Sequence, residues 1–177
     1  PSHSEILGSE NQYFYRNKME YTFSNKRWLT VAEIQSKEEI VNKNALGFHF
    51  PRMFDKVIDI NNCYLQKEPS NSIRLSVKQF ADENNLTYFD IRNHTGLLRN
   101  LMFRTSSTND LMVLVQFYED DKKNIKLLME HIKTSFPEVA SLLYIINQKA
   151  NNTMYDQDVI CYNGKDHIIE EMDGLFF

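Results

Sequence analysis

Basic and aromatic side chains are the residues of this sequence whose types and spacing can do chemistry. Basic residues group near the start (Arg16, Lys18, Lys26 and Arg27) and in the middle (Arg92, Arg99 and Arg104), with Tyr13 to Tyr15 and Trp28 beside the first group. Arginine and lysine bind phosphate oxygens, and aromatic rings stack on bases. Together these groups can follow a nucleic-acid backbone. In the alternative interpretation, which composition alone favours, the aromatic rings fill a sheet core and the arginines lie on its solvent face.

An Arg-Asn-x-Met motif occurs twice, within residues 15–24 and 98–107. The two ten-residue stretches agree at Arg, Asn, Met, Thr and Ser, which is five of ten positions at a spacing of 83 residues. This weak internal repeat predicts two similar halves, roughly 13–85 and 86–177. Each copy places basic groups at the head of an alternating strand pattern.

No other group of residues predicts a catalytic site. The five histidines (His3, His49, His94, His131 and His167) and two cysteines show no pairing at metal-ligand spacing. The five glycines lie far apart, so no glycine-rich loop can cradle a phosphate. The acidic pairs, such as Asp120 with Asp121, are typical of a solvated face or a helix cap. We therefore predict no catalytic residue in this sequence.

Length and composition favour one domain that folds unaided. The net charge of −4 and the pI near 5.7 argue mildly against a protein that binds nucleic acid on its own. Two cysteines, Cys63 and Cys161, are too few for a disulfide framework and favour a reducing, cytoplasmic setting. No run of apolar residues is long enough to predict a membrane span. Both ends look cut, which favours a fragment of a longer protein.

Periodicity predicts an α+β fold, an antiparallel sheet with a few amphipathic helices on one face and two similar halves. Residues 1–12 are expected to be loose and 37–43 to form a loop. Strands are predicted at 13–24, Ala45–Phe50, 57–60, 86–91, 97–105, Leu111–Phe117 and 142–148, and helices at 72–84, capped by Asn71 or Ser72, and at Lys122–Ser135. Asn163 and Gly164 predict the turn of a final hairpin within 158–172, in which Cys161 is packed.

Five segments carry a resemblance to a known family. They are YRNKMEYTFS (15–24), LGFH (46–49), VIDINNCYLQ (57–66), GLLRNLM (96–102) and YNG (162–164). As an ordered set they resemble the RNA uracil-5-methyltransferase family, the type that methylates uracil in 23S ribosomal RNA or in transfer RNA. The resemblance covers most of the chain.

The resemblance implies a protein of three parts: an N-terminal oligonucleotide-binding barrel, a central α+β domain and a C-terminal methyltransferase domain. This chain resembles the central part, which is expected to position the RNA. The expected RNA is ribosomal rather than transfer RNA. By this resemblance, the motifs that bind S-adenosylmethionine lie beyond residue 177, and so do the nucleophilic cysteine and the base that removes the C5 proton. The fragment alone is therefore expected to be inactive. Arg16, Lys18, Arg99 and Arg104 are the predicted phosphate contacts.

Cys63 matches, by resemblance, the fourth thiolate of a 4Fe–4S cluster that some family members hold. The other three thiolates come from a segment that precedes this chain, and a cluster needs four, so Cys63 alone cannot hold one. Two other interpretations stay open: a non-enzymatic α+β domain that binds a protein or a small ligand, and a complete small enzyme.

Overall fold

A seven-stranded, mostly antiparallel sheet with helices on one face organises the chain. The computed structural model describes residues 3–36 and 39–177. The strand order is β3-β2-β1-β4-β5-β6-β7, and only β5 and β6 run parallel. The elements are β1 Lys18–Ser24, α1 Val31–Ser36, β2 Ala45–Phe50, β3 Met53–Asp59, α2 Ser70–Glu83, β4 Leu98–Thr105, β5 Leu111–Phe117, α3 Lys122–Ser135, β6 Ser141–Ile146, β7 Ile160–Gly164, β8 Glu171–Met172 and β9 Leu175–Phe176. The α+β prediction is confirmed.

One hydrophobic core lies between the sheet and the helices α2 and α3. Strand β1 alternates, with Met19, Tyr21 and Phe23 buried towards the helices and the residues between them on the opposite face. The helices contribute apolar residues spaced three or four apart: Ile73, Val77 and Ala81 from α2, and Ile125, Leu128 and Ile132 from α3. Burying each large aliphatic side chain stabilises the fold by about 1.5–3 kcal/mol. No helix among the described residues is long and apolar enough to cross a membrane.

The two copies of the repeated motif lie side by side in the middle of the sheet. One leads into β1 and the other forms β4, and these strands are antiparallel neighbours. Met19 faces the helices, however, whereas Met102 belongs to a second apolar cluster on the other face. Since side chains alternate with a period of two, the repeated residues fall on opposite faces. Each half contains strands and one long helix. Only in the second half does the long helix, α3, connect two parallel strands, β5 and β6.

Two predicted elements differ from the structure because of local side-chain hydrogen bonds: the start of helix α2 and the strand at 86–91. Helix α2 begins at Ser70 with Pro69 at the N-cap, rather than behind Asn71 or Ser72. The Asn71 side chain instead accepts from the Cys63 backbone N–H at 2.9 Å and donates to its carbonyl at 3.0 Å. Residues 86–91 form isolated bridges and a turn rather than a strand. The carboxylate of Asp90 causes this turn, because it accepts the backbone N–H groups of the next residues.

The predicted hairpin at Asn163 and Gly164 is wrong. Gly164 ends strand β7, where it pairs with Ser141 at a φ of 79°. The last hairpin turns instead at Asp173 and Gly174, between β8 and β9, with φ of 51° and 79°. Two successive positive φ values are typical of a type I′ turn. The short helix α1 was not predicted. The loop predicted at 37–43 includes residues 37 and 38, which lie outside the described residues; 39–43 have no helix or strand, and neither do residues 3–12.

Candidate nucleic-acid interface

Three of the predicted phosphate contacts lie at one end of the β1–β4 pair. Lys18 and Arg104 are Cα partners across this ladder, so their side chains leave the same face, opposite to the helices. Arg16 lies two residues before β1, where its backbone N–H donates to the Leu65 carbonyl at 2.9 Å. Within residues 3–36 and 39–177, none of these three cations has an ion pair. Their charges are therefore available to an anion.

Exposed aromatic rings stand beside these cations. Tyr13, Phe14 and Tyr64 form a cluster with ring centroids 6.1 to 6.5 Å apart. The backbone N–H of Phe14 donates to the Tyr64 carbonyl at 2.8 Å, which holds the two segments together. These rings and that of Tyr15 are 43% to 62% exposed. Fixed aromatic rings open to solvent are suited to stacking on unpaired bases.

A pocket of 380 Å³ lies where the two repeat copies meet. Arg16 and Asn17 line it from the first copy, Thr105 to Ser107 from the second, and Lys67 adds a further cation. Thr105 donates its backbone N–H to the Asn17 carbonyl at 2.9 Å and closes the floor. The pocket also has two carboxylates, which already accept hydrogen bonds: Glu68 from Ser72, and Glu170 from the backbone N–H of Ser107.

Arg99, the fourth predicted contact, lies elsewhere and is 2% exposed. The register of β4 and β5 shifts between Leu98 and Asn100, so Arg99 is the extra residue of a β-bulge. Its guanidinium lies over the Phe89 ring at 4.8 Å, and burial lowers its pKa. It donates at 2.7 to 3.1 Å to the carbonyls of Asn147, Lys149 and Asn151 and to Oδ1 of Asn152. These contacts leave almost none of the guanidinium open to a phosphate, so Arg99 does not belong to the candidate interface.

The other basic residues of the two groups are paired within the chain. Lys26 binds Asp90 at 2.9 Å, Arg27 binds Glu33 at 2.7 Å, and Arg92 binds Asp55 at 2.6 Å. The hydrogen bond from Arg27, with those from Thr30, lowers the pKa of Glu33 to about 2. Trp28 stacks on Phe50 at 3.8 Å, so one face of its ring is covered.

Cys63 lies close to the interface but is 5% exposed, at the edge of a 280 Å³ pocket that Phe14 and Tyr64 also line. Burial, with help from Cys63, raises the pKa of the Tyr21 hydroxyl. The described part of the chain has no group of three or more histidine, cysteine or acidic residues that could hold a metal. One thiol does not fit a 4Fe–4S cluster, and the cluster stays a prediction for a longer protein. Cys161, predicted to be packed, is exposed on the edge strand β7.

Two residues beside the candidate interface were not predicted from the sequence. Tyr64 and Lys67 lie in the loop after β3, about fifty residues from Arg16 in the sequence. Backbone hydrogen bonds from Phe14 and Arg16 to residues 64 and 65 bring this loop to the start of β1. The segment 57–66 contributed to the resemblance, but its contact with residues 14–16 has no signal in the sequence.

Comparison with known proteins confirms the resemblance to RNA methyltransferases. An uncharacterized RNA methyltransferase of Bacteroides thetaiotaomicron is 50% identical over 180 residues, which cover 100% of this chain and 40% of the relative. One from Porphyromonas gingivalis is 47% identical and covers 97% of this chain and 38% of the relative. The chain thus spans about 40% of the length of these relatives. No family model matches the chain.

A solved structure supports the fold. The tRNA (uracil-54, C5)-methyltransferase of Pyrococcus abyssi, in complex with S-adenosyl-L-homocysteine, aligns with a TM-score of 0.66 over 96% of this chain and 36% of that chain. The identity is 20%, so the likeness concerns the fold alone.

Proposed function

Because this chain is homologous over its whole length to a segment of RNA methyltransferases, we propose that it is the central, RNA-positioning domain of an RNA uracil-5-methyltransferase. The longer protein uses S-adenosylmethionine, acts in the cytoplasm and takes ribosomal rather than transfer RNA as its substrate. Catalysis and methyl-donor binding belong to other parts of that protein, so this chain alone is inactive. If the longer protein holds a 4Fe–4S cluster, Cys63 supplies one of its four thiolates.

One observation carries the proposal: Arg16, Lys18 and Arg104 lie at one end of the central strands without ion pairs among the described residues, beside exposed aromatic rings. Phosphates neutralise such cations and release counterions, and bases stack on the rings. The net charge of −4 describes the whole chain, whereas binding depends on the local charge, and these three cations have no carboxylate partner among the described residues.

The test is filter binding of the 177-residue chain to a uridine-containing stem-loop from 23S ribosomal RNA, with transfer RNA as the comparison. Three phosphate contacts predict that log K falls with log salt at a slope of about −2 to −3 between about 50 mM and about 200 mM salt. The triple alanine variant of Arg16, Lys18 and Arg104 should lose this slope. No binding at the lowest salt contradicts the proposal and favours a non-enzymatic binding domain. Preference for transfer RNA corrects the substrate alone.

A further inference from the structure

The hairpin between β2 and β3 exposes a second apolar surface, distinct from the residues of the interface described above. Phe50 and Met53 close this hairpin around a turn in which Arg52 has a φ of 66°. Met53 is 43% exposed and Phe54 is 60% exposed. Together with His49 and Ile91 they line an open groove of 550 Å³. A groove of this size has room for one or two nucleobases.

The ring of Phe54 contacts an arginine that an ion pair holds in place. The guanidinium of Arg92 lies 5.2 Å from the ring centroid, and its Nε donates to the carboxylate of Asp55 at 2.6 Å. This hydrogen bond lowers the pKa of Asp55, so the carboxylate stays charged and keeps Arg92 in place. Next to the turn, Trp28 stacks on Phe50 with an angle of 13° between the rings. A pre-oriented ring loses little conformational freedom when a base stacks on it.

The charge around the groove favours an anionic occupant. Asp55 and Arg92 neutralise each other, whereas Arg52 and Lys56 have no ion pair within the described ranges. The hairpin therefore carries one positive charge at its turn, Arg52, and a second along β3, Lys56, whose charge also acts on Asp55, in a chain whose net charge is −4. An apolar protein surface docking here would desolvate both cations without compensation. The phosphates of a nucleic acid can bind the cations while its bases stack on the aromatic surface.

We infer that the β2–β3 hairpin binds an unpaired RNA segment, with one base stacked on Phe54 and phosphates at Arg52 and Lys56. The inference rests on the proposed function, because it assumes that the chain meets RNA. It adds a second contact, which recognises single-stranded nucleotides rather than a duplex. Aromatic stacking is tolerant of sequence, so the hairpin selects for an unpaired state rather than for one base.

The test compares Phe54→Ala, Phe54→Tyr and the parent chain for binding to a single-stranded RNA that contains 2-aminopurine. Removing a stacking ring costs about 1–3 kcal/mol per base, which is a loss of affinity of about five-fold to a hundred-fold or more. Phe54→Ala should show this loss and a smaller quenching of 2-aminopurine, whereas Phe54→Tyr should retain both. Leu127→Ala, which removes a side chain that is 40% exposed on α3, is the control and should change neither.

Arg52→Ala should reduce the salt slope by about 0.7 for a single strand, whereas Phe54→Ala should leave the slope unchanged. Unchanged affinity and unchanged quenching in Phe54→Ala, while RNA still binds through Arg16, Lys18 and Arg104, overturn this inference and leave the proposed function intact. Absence of all RNA binding at low salt overturns both. Concentration-dependent self-association that Phe54→Ala abolishes, with RNA affinity unchanged, assigns the groove to a second copy of the chain and also overturns the inference.

Discussion

Lys18 and Arg104 face each other directly across the β1–β4 ladder, on the side of the sheet that the helices do not cover. Side chains at such positions have Cβ atoms about 4.5–5.5 Å apart, and like charges placed there destabilise a sheet. No carboxylate pairs with either residue in the part of the chain that the structure describes. The two like charges therefore repel each other in the fold, and a bound polyanion would reduce this repulsion.

This repulsion leads to a prediction in which stability and RNA affinity change in opposite directions. Lys18→Glu replaces the like-charge pair with an ion pair to Arg104, so the free energy of unfolding should rise by about 0.2–1 kcal/mol. The same change removes a phosphate contact and adds a negative charge, so RNA affinity and the magnitude of the salt slope should fall, the slope by about 0.9. Urea unfolding and filter binding measure the two effects.

Lys123→Glu is the matched control, because Lys123 is exposed on α3 and makes no ion pair among the described residues. It introduces the same charge change away from the interface and should leave the salt slope within error. Equal losses of affinity in the two variants would mean that RNA responds to total charge rather than to the β1–β4 site.

Arg99 is predicted to act on stability. Arg99→Ala removes the donor of the buried Asn147 carbonyl, and a buried unpaired group costs about 1–3 kcal/mol. It also removes a donor from the less buried carbonyls of Lys149 and Asn151, of which the second keeps a longer hydrogen bond from the Asn147 side chain. We expect the free energy of unfolding to fall by about 2–4 kcal/mol. Amide exchange should accelerate in residues 147–153 before the rest of the sheet, because these residues lose their anchor.

Arg104→Ala, which removes an exposed arginine from the same strand, should change stability by less than about 0.5 kcal/mol. If Arg99→Ala is as stable as Arg104→Ala, the buried guanidinium contributes nothing and its exclusion from the interface loses its basis. Arg99→Lys should recover part of the stability, since an ammonium group cannot reach all four oxygen acceptors in the plane that the guanidinium uses.

The spacing of apolar residues in the sequence predicted the strands and helices whose side chains form the core. The bounds of β2, β5 and α3 agree with the prediction, because each combines a regular apolar pattern with a clear end, such as Pro51 after β2. The hairpin at Gly164 failed for a different reason. Positive φ suits a turn, but the glycine is also required where a Cβ would lie 2.2 Å from the Ala140 carbonyl. The sequence shows that a glycine is present. It does not show whether the glycine is needed for a turn or for a close approach of a neighbouring strand.

The candidate interface was predictable only in part. Arg16, Lys18 and Arg104 stand out as basic residues at strand ends, and three of the four predicted contacts came together. Arg99 looked equivalent to Arg16 in the repeat, but the bulge between Leu98 and Asn100 places it under residues 147–152. A bulge depends on the strand pairing, which a single sequence does not show.

Asp90 should make stability depend on pH. Burial alone raises the pKa of this carboxylate, but the hydrogen bonds from Lys26, Asn25 and the backbone N–H groups of Asn93 and Arg92 outweigh burial and lower the pKa well below the ordinary Asp value. A group with a lowered pKa in the folded state contributes stability that is complete above the unfolded pKa, which is about 3.9. The contribution is lost as the pH falls from about 5 towards the folded pKa.

The measurement is the difference in unfolding free energy between the parent chain and Asp90→Asn as a function of pH. Near neutral pH the parent should be more stable by about 1.5–3 kcal/mol, and the difference should shrink below about pH 5. Asn25→Ala keeps the carboxylate but removes one donor, so it should show a smaller loss with the same pH trend. Parallel curves for the parent and Asp90→Asn would contradict the assignment.

Gly47 is predicted to be intolerant of any side chain, because the backbone of the neighbouring strand leaves no space for one. A Cβ built at Gly47 lies 1.9 Å from the carbonyl oxygen of Ile58, a backbone atom that cannot move without disturbing the β2–β3 ladder. Gly47→Ala should therefore lower the free energy of unfolding by about 3 kcal/mol. Gly8→Ala is the control, since nothing lies within 4 Å of its Cβ, and it should be neutral. Equal urea midpoints for the two variants would show that the strands can separate at this point, and the hairpin that presents Phe54 would then be less rigid than its contacts indicate.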